Sequence, residues 1–269
     1  MIISASALAR SIEQTAAKLG TQLPAPLVAT LQTSRALAPA AAATEGMTAN
    51  LHAASLAALR ENRDPGACPE VQRLATLVTL AANGIRHAAV SDADDAIAAA
   101  LNTHSEAVLT GFGTALVGDL AVLQSAAQQL EVPVLDKADP LLLRRAGLLN
   151  AWADASASAE RADIALAGVR ALLTVLHANT APEFRVLQLA PDAGIDAYIA
   201  ANAAAGPREV TAWTVARTKA PLRLITSIAD FHQACARISG ESQQQQRDSD
   251  QADAETRTQR TARQWVRVR

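Results

Sequence analysis

The chain has 269 residues, a formal net charge of −2, 50% hydrophobic residues and only 3% aromatic residues. This length can bury a sizeable core without disulfide bonds, and the near-neutral charge excludes a whole-molecule field that would select nucleic acid or an anionic membrane. The two cysteines, Cys68 and Cys235, lie far apart in sequence, which predicts buried or free thiols in a reducing compartment.

Alanine accounts for 64 residues. It is the best helix former, but each alanine buries little apolar area. Stability must therefore come from many helices in close contact rather than from a deep aromatic core. The composition predicts a mainly α protein, an alanine-rich helical bundle.

The first four predicted helices follow one another at the start of the chain. Apolar residues at helical spacing predict a helix over 4–20, and a second follows Pro24. A third helix is expected near 44–62, with Leu51, Leu56 and Leu59 facing inward. The turn sequence "NRDPGACPE" then separates it from a fourth helix that starts at Pro69.

Two much longer helices are expected next. An apolar residue recurs every three or four positions, or at a multiple of that spacing, from Ser91 to Leu130, and again from Pro140 to about Asn179. The short connection between them predicts an antiparallel pair that forms the spine of a bundle spanning residues 1–180.

The pattern changes after Pro182. The segments "EFRVLQL" and "REVTAWTVAR" are short, β-branched and partly alternating, and "DAGIDAYIAANAAAG" between them is typical of a helix. These residues predict a small α/β or α+β domain over 182–240.

Residues 241–269 form a polar segment, the C-terminal arm, which we expect to be extended and disordered when alone. Its last part carries five arginines around one tryptophan, a combination that binds phosphates or acidic protein surfaces and stacks on planar groups. The alternation in "QWVRVR" also suits an added edge strand in a neighbouring subunit. The predicted partner-binding residues are Arg257, Arg260, Arg263, Trp265, Arg267 and Arg269.

The stretch "TGFGTALVGDL", residues 110–120, resembles a phosphate-binding loop only superficially. Gly118 is followed by Asp119 and Leu120, not by the lysine and hydroxyl residue that contact phosphate and magnesium. We interpret Gly111 and Gly118 instead as positions where a neighbouring helix approaches closely.

Two further clusters could carry chemistry. Asp92, Asp94 and Asp95 form an acidic cluster that could carry chemistry, but we interpret them as acids in the first turn of a helix, with Ser91 or Asp92 as the N-cap. His232 and Cys235 could share a metal or form a catalytic pair. We favour a buried Cys235 and a surface His232, and we expect no metal site and no cofactor.

No catalytic motif emerges, so we expect a protein that is not an enzyme. The leading hypothesis is a structural or assembly protein of a larger oligomeric particle, for example a phage virion component, whose partners are further copies or other subunits. The alternative is a nucleic-acid-associated or regulatory binding module that uses the arginines of the C-terminal arm. A third hypothesis is an enzyme with a metal or Cys-His site assembled in space.

The expected location is the cytoplasm, or a particle assembled there. The start "MIISASALAR" lacks the basic segment and apolar run of a signal peptide, so we expect no export by that route. Asp119 and the Arg144–Arg145 pair interrupt the most apolar stretches, so no membrane contact is expected.

Overall fold

The computed structural model shows a mainly α protein and describes residues 4–42, 46–178, 181–206 and 209–267. In the last helix it describes the side chains up to Gln251 and that of Ala254. The α-helices in these ranges are α1 Ala5–Leu19, α2 Ala25–Ala42, α3 Met47–Arg60, α4 Pro69–Ala82, α5 Ile85–Gln129, α6 Pro140–Arg145, α7 Leu149–Val175, α8 Arg185–Leu189, α9 Ile195–Ala205, α10 Ala212–Ala216 and α11 Ile228–Arg267.

Helix α5 is the central element of the fold. It contains 45 residues and is about 67 Å long at 1.5 Å per residue. Its buried residues recur every three or four positions, as the sequence pattern predicts, although the helix begins at Ile85 and not at Ser91. These buried residues are Ala93, Ile97, Leu101, Ser105, Val108, Leu109, Phe112, Leu116, Leu120, Leu123 and Ala126.

Helices α1, α2 and α7 pack against α5 and form the main core with it. The closest approach is at Gly168 in α7, where an added Cβ would lie 2.6 Å from Thr15 Cγ2 and 2.9 Å from Phe112 Cε2. One α5–α7 ion pair lies beside this core, with Arg161 Nε 2.9 Å from an oxygen of Asp119. Glycine at position 168 therefore lets α1 and α5 contact the α7 backbone.

The second long helix of the sequence analysis is interrupted. Helix α6 ends at Arg145, and α7 begins at Leu149. Between them Gly147 adopts a φ of 72°, a left-handed conformation that glycine tolerates and that ends a helix. The prediction of one continuous helix from Pro140 is wrong because its apolar spacing did not reveal this turn.

The predicted strands of residues 182–240 are helices instead. Helix α8 lies within "EFRVLQL" and α10 within "REVTAWTVAR", and the described part of the chain contains no strand. Short apolar runs do not distinguish a strand from a buried helix by periodicity. Both segments are buried helices, in which Val186, Leu187 and Ala212 are fully buried.

Hydrophobic contacts continue across residue 180. A single buried cluster extends from Ala9 in α1 to Ile238 in α11 and includes Trp213 and Phe231. Two indole N–H groups fasten the loop after α5: Trp152 donates to the Leu135 carbonyl at 3.0 Å, and Trp213 donates to the Val132 carbonyl at 3.1 Å.

The C-terminal arm is helical, not extended, over its described residues 241–267. Helix α11 runs for 40 residues, so its backbone continues through most of "QWVRVR" to Arg267. Alanine, glutamine, glutamate and arginine are all favourable in helices, and no proline follows Ile228. Hydrogen bonds one turn apart, from Gln244 to Asp248 at 2.8 Å and from Gln246 to Asp250 at 2.9 Å, support the helix.

Candidate functional site

The first part of helix α11 packs on the helices that precede it, which we call the body, and its second part is exposed beyond them. Phe231 and Ile238 are buried in the common core, while residues 242–251 and Ala254 are exposed. We call residues 242–267 the α11 extension; at 1.5 Å per residue it is roughly 40 Å long. A helix that is polar all round and exposed gains little stability from packing, which makes this extension the first candidate interaction site.

The base of the α11 extension is held by a polar network. Arg237 donates to the carbonyls of Pro191 and Ala193 at 2.8 and 2.7 Å and pairs with Glu241 at 2.9 Å. Glu241 in turn accepts from the backbone N–H of Ile195, the first residue of α9, at 3.1 Å. These bonds fix the direction in which α11 leaves the body.

A second network holds the beginning of α11. Arg223 forms paired hydrogen bonds to Asp192, at 2.5 and 3.0 Å, and to Asp230, at 2.7 and 3.1 Å. Ser227 caps the helix by accepting from the Asp230 N–H at 3.0 Å. The guanidinium of Arg223 lowers the pKa of Asp230 below its ordinary value, because it hydrogen-bonds the ionised carboxylate.

Most of the residues predicted to bind a partner lie in the helical backbone of the α11 extension. Their side chains are outside the described part of the structure, and Arg269 lies outside the described residues altogether. The positions with helical backbone are Arg257, Arg260, Arg263, Trp265 and Arg267. The proposal of an added edge strand does not agree with this helical backbone.

A second candidate surface lies on α3 and α4, and the sequence analysis assigned it wrongly. Leu51, Leu56 and Leu59 were expected to face inward. Leu51 is partly buried, but Leu56 and Leu59 are 53% and 57% exposed, and Ala58 is the buried residue of α3. Helix α3 packs mainly on α4, which leaves its leucine face uncovered. Leu80 on α4 and Leu141 and Leu142 on α6 are also exposed apolar side chains.

The glycine-rich stretch is continuous helix within α5, as predicted. The proposed close approach at Gly111 and Gly118 is wrong, however, since nothing lies within 4 Å of a Cβ placed at either position. The close approach is at Gly168, in a segment without any glycine cluster to signal it.

The acidic cluster has a structural role that differs from the expected one. Ser91 and Asp92 lie inside α5, so they do not cap it. Asp94 instead accepts hydrogen bonds from the Ser6 side chain and from the Ser6 backbone N–H, the latter at 3.0 Å. A carboxylate at the first turn of α1 is favourable because it satisfies a free N–H and opposes the helix dipole.

Cys235 is buried and His232 is exposed, as the sequence analysis predicted. Burial raises the pKa of the Cys235 thiol to about 11, so the thiol is protonated near neutral pH and is a poor nucleophile. Among the described residues, no group of three or more His, Cys, Asp or Glu is arranged to hold a metal ion.

Helix α5 is long and apolar enough, by length and composition, to cross a membrane. One 18-residue window of it has a mean hydropathy of 1.5, and 33% of that window is buried. Asp119 therefore does not interrupt the apolar stretch as fully as expected. The core helix of a soluble protein satisfies the same criterion, and α5 packs against α1, α2 and α7.

Comparison of the chain with protein-family models, with curated proteins and with solved structures found no match. The site must therefore be interpreted from its own geometry.

Proposed function

We propose that the chain is a non-enzymatic assembly protein that joins other copies of itself, or other subunits, in a larger particle such as a virion. The observation that carries this proposal is the α11 extension, a long helix firmly anchored at its base and exposed along its described length. A helix that is anchored at its base and whose described side chains beyond Glu241 are all exposed has the form of a docking element.

The exposed leucines provide supporting evidence. Leu56, Leu59, Leu141 and Leu142 are each more than half exposed. Contiguous exposed apolar surface is typical of interaction sites, and Leu56 and Leu59 are neighbours one turn apart on α3. Leu56 and Leu59 lie on one short helix, so we assign α3 as the second contact surface of the assembly.

Part of the proposal concerns the body that presents these surfaces. We infer that α5 and α7 run antiparallel as its spine. Phe112 lies near Gly168, and Asp119 pairs with Arg161. The later residue of α5 therefore contacts the earlier residue of α7, as in an antiparallel pair. The organisation into 1–180, 182–240 and 241–269 stays a prediction, as does a location in the cytoplasm or in a particle assembled there.

Solution mass by light scattering tests the assembly function. The full chain is compared with a chain ending at Gln243, because Glu241 must be kept to cap α9. The shorter chain keeps the whole buried cluster, whose last residue is Ile238, so it should fold. We expect the mass of two or more 28.0-kDa copies for the full chain, and fewer copies per particle for the shorter chain. A full chain that stays monomeric at high concentration would contradict the proposal.

Nucleic-acid binding is the second candidate function. It is favoured by the helical backbone around Arg257, Arg260, Arg263 and Arg267, because spacings of three, three and four residues place these positions on one face. Phosphate contacts release counterions, so binding to labelled DNA should weaken steeply with salt. Replacement of the four arginines by glutamine should abolish it; binding that survives would not come from this face.

A further inference from the structure

The charges of the α11 extension are separated along its length. Between residues 248 and 255 lie four acidic residues, and from 257 to 267 the only charged residues are four arginines. The acidic residues are Asp248, Asp250, Asp253 and Glu255, and the arginines are Arg257, Arg260, Arg263 and Arg267. Arg247 precedes the acidic residues and lies about 60° outside the face described next, so the first half of the extension (242–255) has a net charge of −3 and the second half (256–267) a net charge of +4.

The helical backbone places charges of both signs on one face. At 100° per residue, the positions of Asp250, Asp253 and the four arginines fall within an arc of about 140°. Asp248 and Glu255 fall on the opposite side. This face is acidic in its first half and basic in its second half, and the described Asp250 on it is exposed.

Such a face is complementary to itself when reversed. If two copies lie antiparallel with their centres near residue 256, Asp250 comes opposite Arg263 of the other copy and Asp253 comes opposite Arg260. Arg267 comes opposite Gln246, and the one like-charge contact is between the two copies of Arg257 at the two-fold axis. The two-fold symmetry repeats both pairs, because an isologous contact uses the same residues on each side. A parallel arrangement in register would instead place like charges together.

We propose that the α11 extensions of two copies pair antiparallel through this face, so that the partner of the extension is a second copy of the same chain. This inference rests on the proposed function and specifies which subunit the extension contacts. Charge pairs on an exposed helix orient a contact more than they strengthen it. The pairing is therefore salt-sensitive, and the exposed leucines of α3 add to it in the complete assembly.

Nucleic acid fits this face less well. Asp250 and Asp253 occupy the same face as the arginines, and their carboxylates repel phosphate. A surface for a uniform polyanion would carry one sign of charge along its length.

Two charge-swap variants of the full chain test the pairing. Asp250→Arg with Asp253→Arg makes the face entirely basic, and Arg260→Asp with Arg263→Asp makes two of its four arginine positions acidic. Solution mass is measured for each variant alone and for their equal mixture, at about 0.02 M and about 1 M salt, where the Debye length falls to about 3 Å. Labelled duplex DNA is added to parallel samples. A control, Asp248→Arg with Glu255→Arg, changes charges on the opposite side of the helix.

The expected result is a wild-type chain that associates in low salt and, in 1 M salt, loses the part of the association that the extensions provide, so that its mass falls to at most about half. Each swap variant alone should have at most about half the wild-type mass, the mixture should regain the wild-type mass, and the control should behave as wild type. If the wild type associates but neither swap changes its mass, the antiparallel pairing is overturned and the assembly function stands. A wild type that stays monomeric in both salts overturns both, and DNA binding without self-association assigns the face to nucleic acid instead.

Discussion

Gly168 shows how one residue sets the spacing of three helices. It is buried in α7, and the side chains of Thr15 from α1 and Phe112 from α5 lie where its Cβ would be. Phe112 is fully buried and Thr15 is only 4% exposed, so neither side chain has free space into which it could move. A small residue here is required by packing and not by backbone conformation.

Replacement of Gly168 by alanine should therefore destabilise the protein by about 1–3 kcal/mol, the usual cost of overpacking a core. The matched control is Gly118→Ala on α5, where the added Cβ meets nothing within 4 Å. That change should stabilise the helix by about 0.5–1 kcal/mol because alanine has the higher helix propensity. Urea unfolding measures both, and equal effects of the two changes would contradict the packing explanation.

Asp163 on α7 is a second residue whose role is local. Its carboxylate accepts from the backbone N–H of Ala212, at the first turn of α10, at 2.8 Å. Burial raises the pKa of Asp163, and the hydrogen bond from Ala212 opposes that rise. The bond is needed because Ala212 is fully buried and would otherwise leave an unpaired donor.

Asp163→Ala should cost about 1–3 kcal/mol in the free energy of unfolding, since it leaves the Ala212 N–H without an acceptor. Asp163→Asn keeps an acceptor oxygen and should cost less. The comparison is made by denaturant unfolding at neutral pH. Should both variants lose the same stability, the charge and not the hydrogen bond would be responsible.

At the scale of elements, the beginning of α11 depends on the pairing of Arg223 with Asp192 and Asp230. The same arginine also donates its backbone N–H to the Leu189 carbonyl at 2.9 Å, which ties the segment before α11 to α8. Because Asp230 also accepts from the Thr226 N–H at 3.0 Å, the cluster completes the cap of the helix. Short-range sequence patterns do not reveal it, since Asp192 is distant in sequence.

This cluster makes the free energy of unfolding depend on pH in the acidic range. The pKa of Asp230 in the folded protein is below its ordinary value of 3.8. The ionised carboxylate therefore contributes its full stabilisation above pH 3.8, and this stabilisation is lost as pH falls through the folded-state pKa. Arg223→Met should reduce stability near neutral pH by about 1 kcal/mol, because the pairs are partly exposed. Below pH 3.8 the difference from wild type should shrink.

Thermal unfolding between neutral and acidic pH measures this difference. Arg73→Met is the control for the loss of an arginine. Arg73 pairs with Glu70, one turn away on the open surface, where an ion pair contributes little to stability. A constant difference between Arg223→Met and wild type at every pH would show that the ionisation of Asp230 does not contribute.

At the scale of the whole molecule, the exposed leucines of α3 allow the stability of the chain to be tested separately from the proposed assembly. Leu56→Gln with Leu59→Gln should leave the stability of an isolated chain within about 0.5 kcal/mol, as expected for exposed positions. The same double change should lower the mass of the assembly if α3 is a contact surface. The control is Leu74→Ala on α4, which removes a side chain that is only 3% exposed and should cost about 2–5 kcal/mol.

Light scattering and urea unfolding of the two variants distinguish these roles. If Leu56→Gln with Leu59→Gln destabilises the chain as much as Leu74→Ala, the leucines belong to the core of the subunit. An unchanged mass would remove α3 from the assembly contacts and leave the α11 extension as the proposed contact.

The sequence by itself determined the helical class, most of the course of α5 but not its start at Ile85, and the helical course of its glycine stretch. These properties depend on neighbours along the chain, through alanine content, apolar spacing and the missing phosphate-binding lysine. Only the tertiary structure decided that α8 and α10 are helices, that Leu56 and Leu59 are exposed and that Gly168 is the tight contact. Each of these depends on which distant residue lies opposite, such as Phe112 against Gly168, and spacing along the chain does not encode that neighbour.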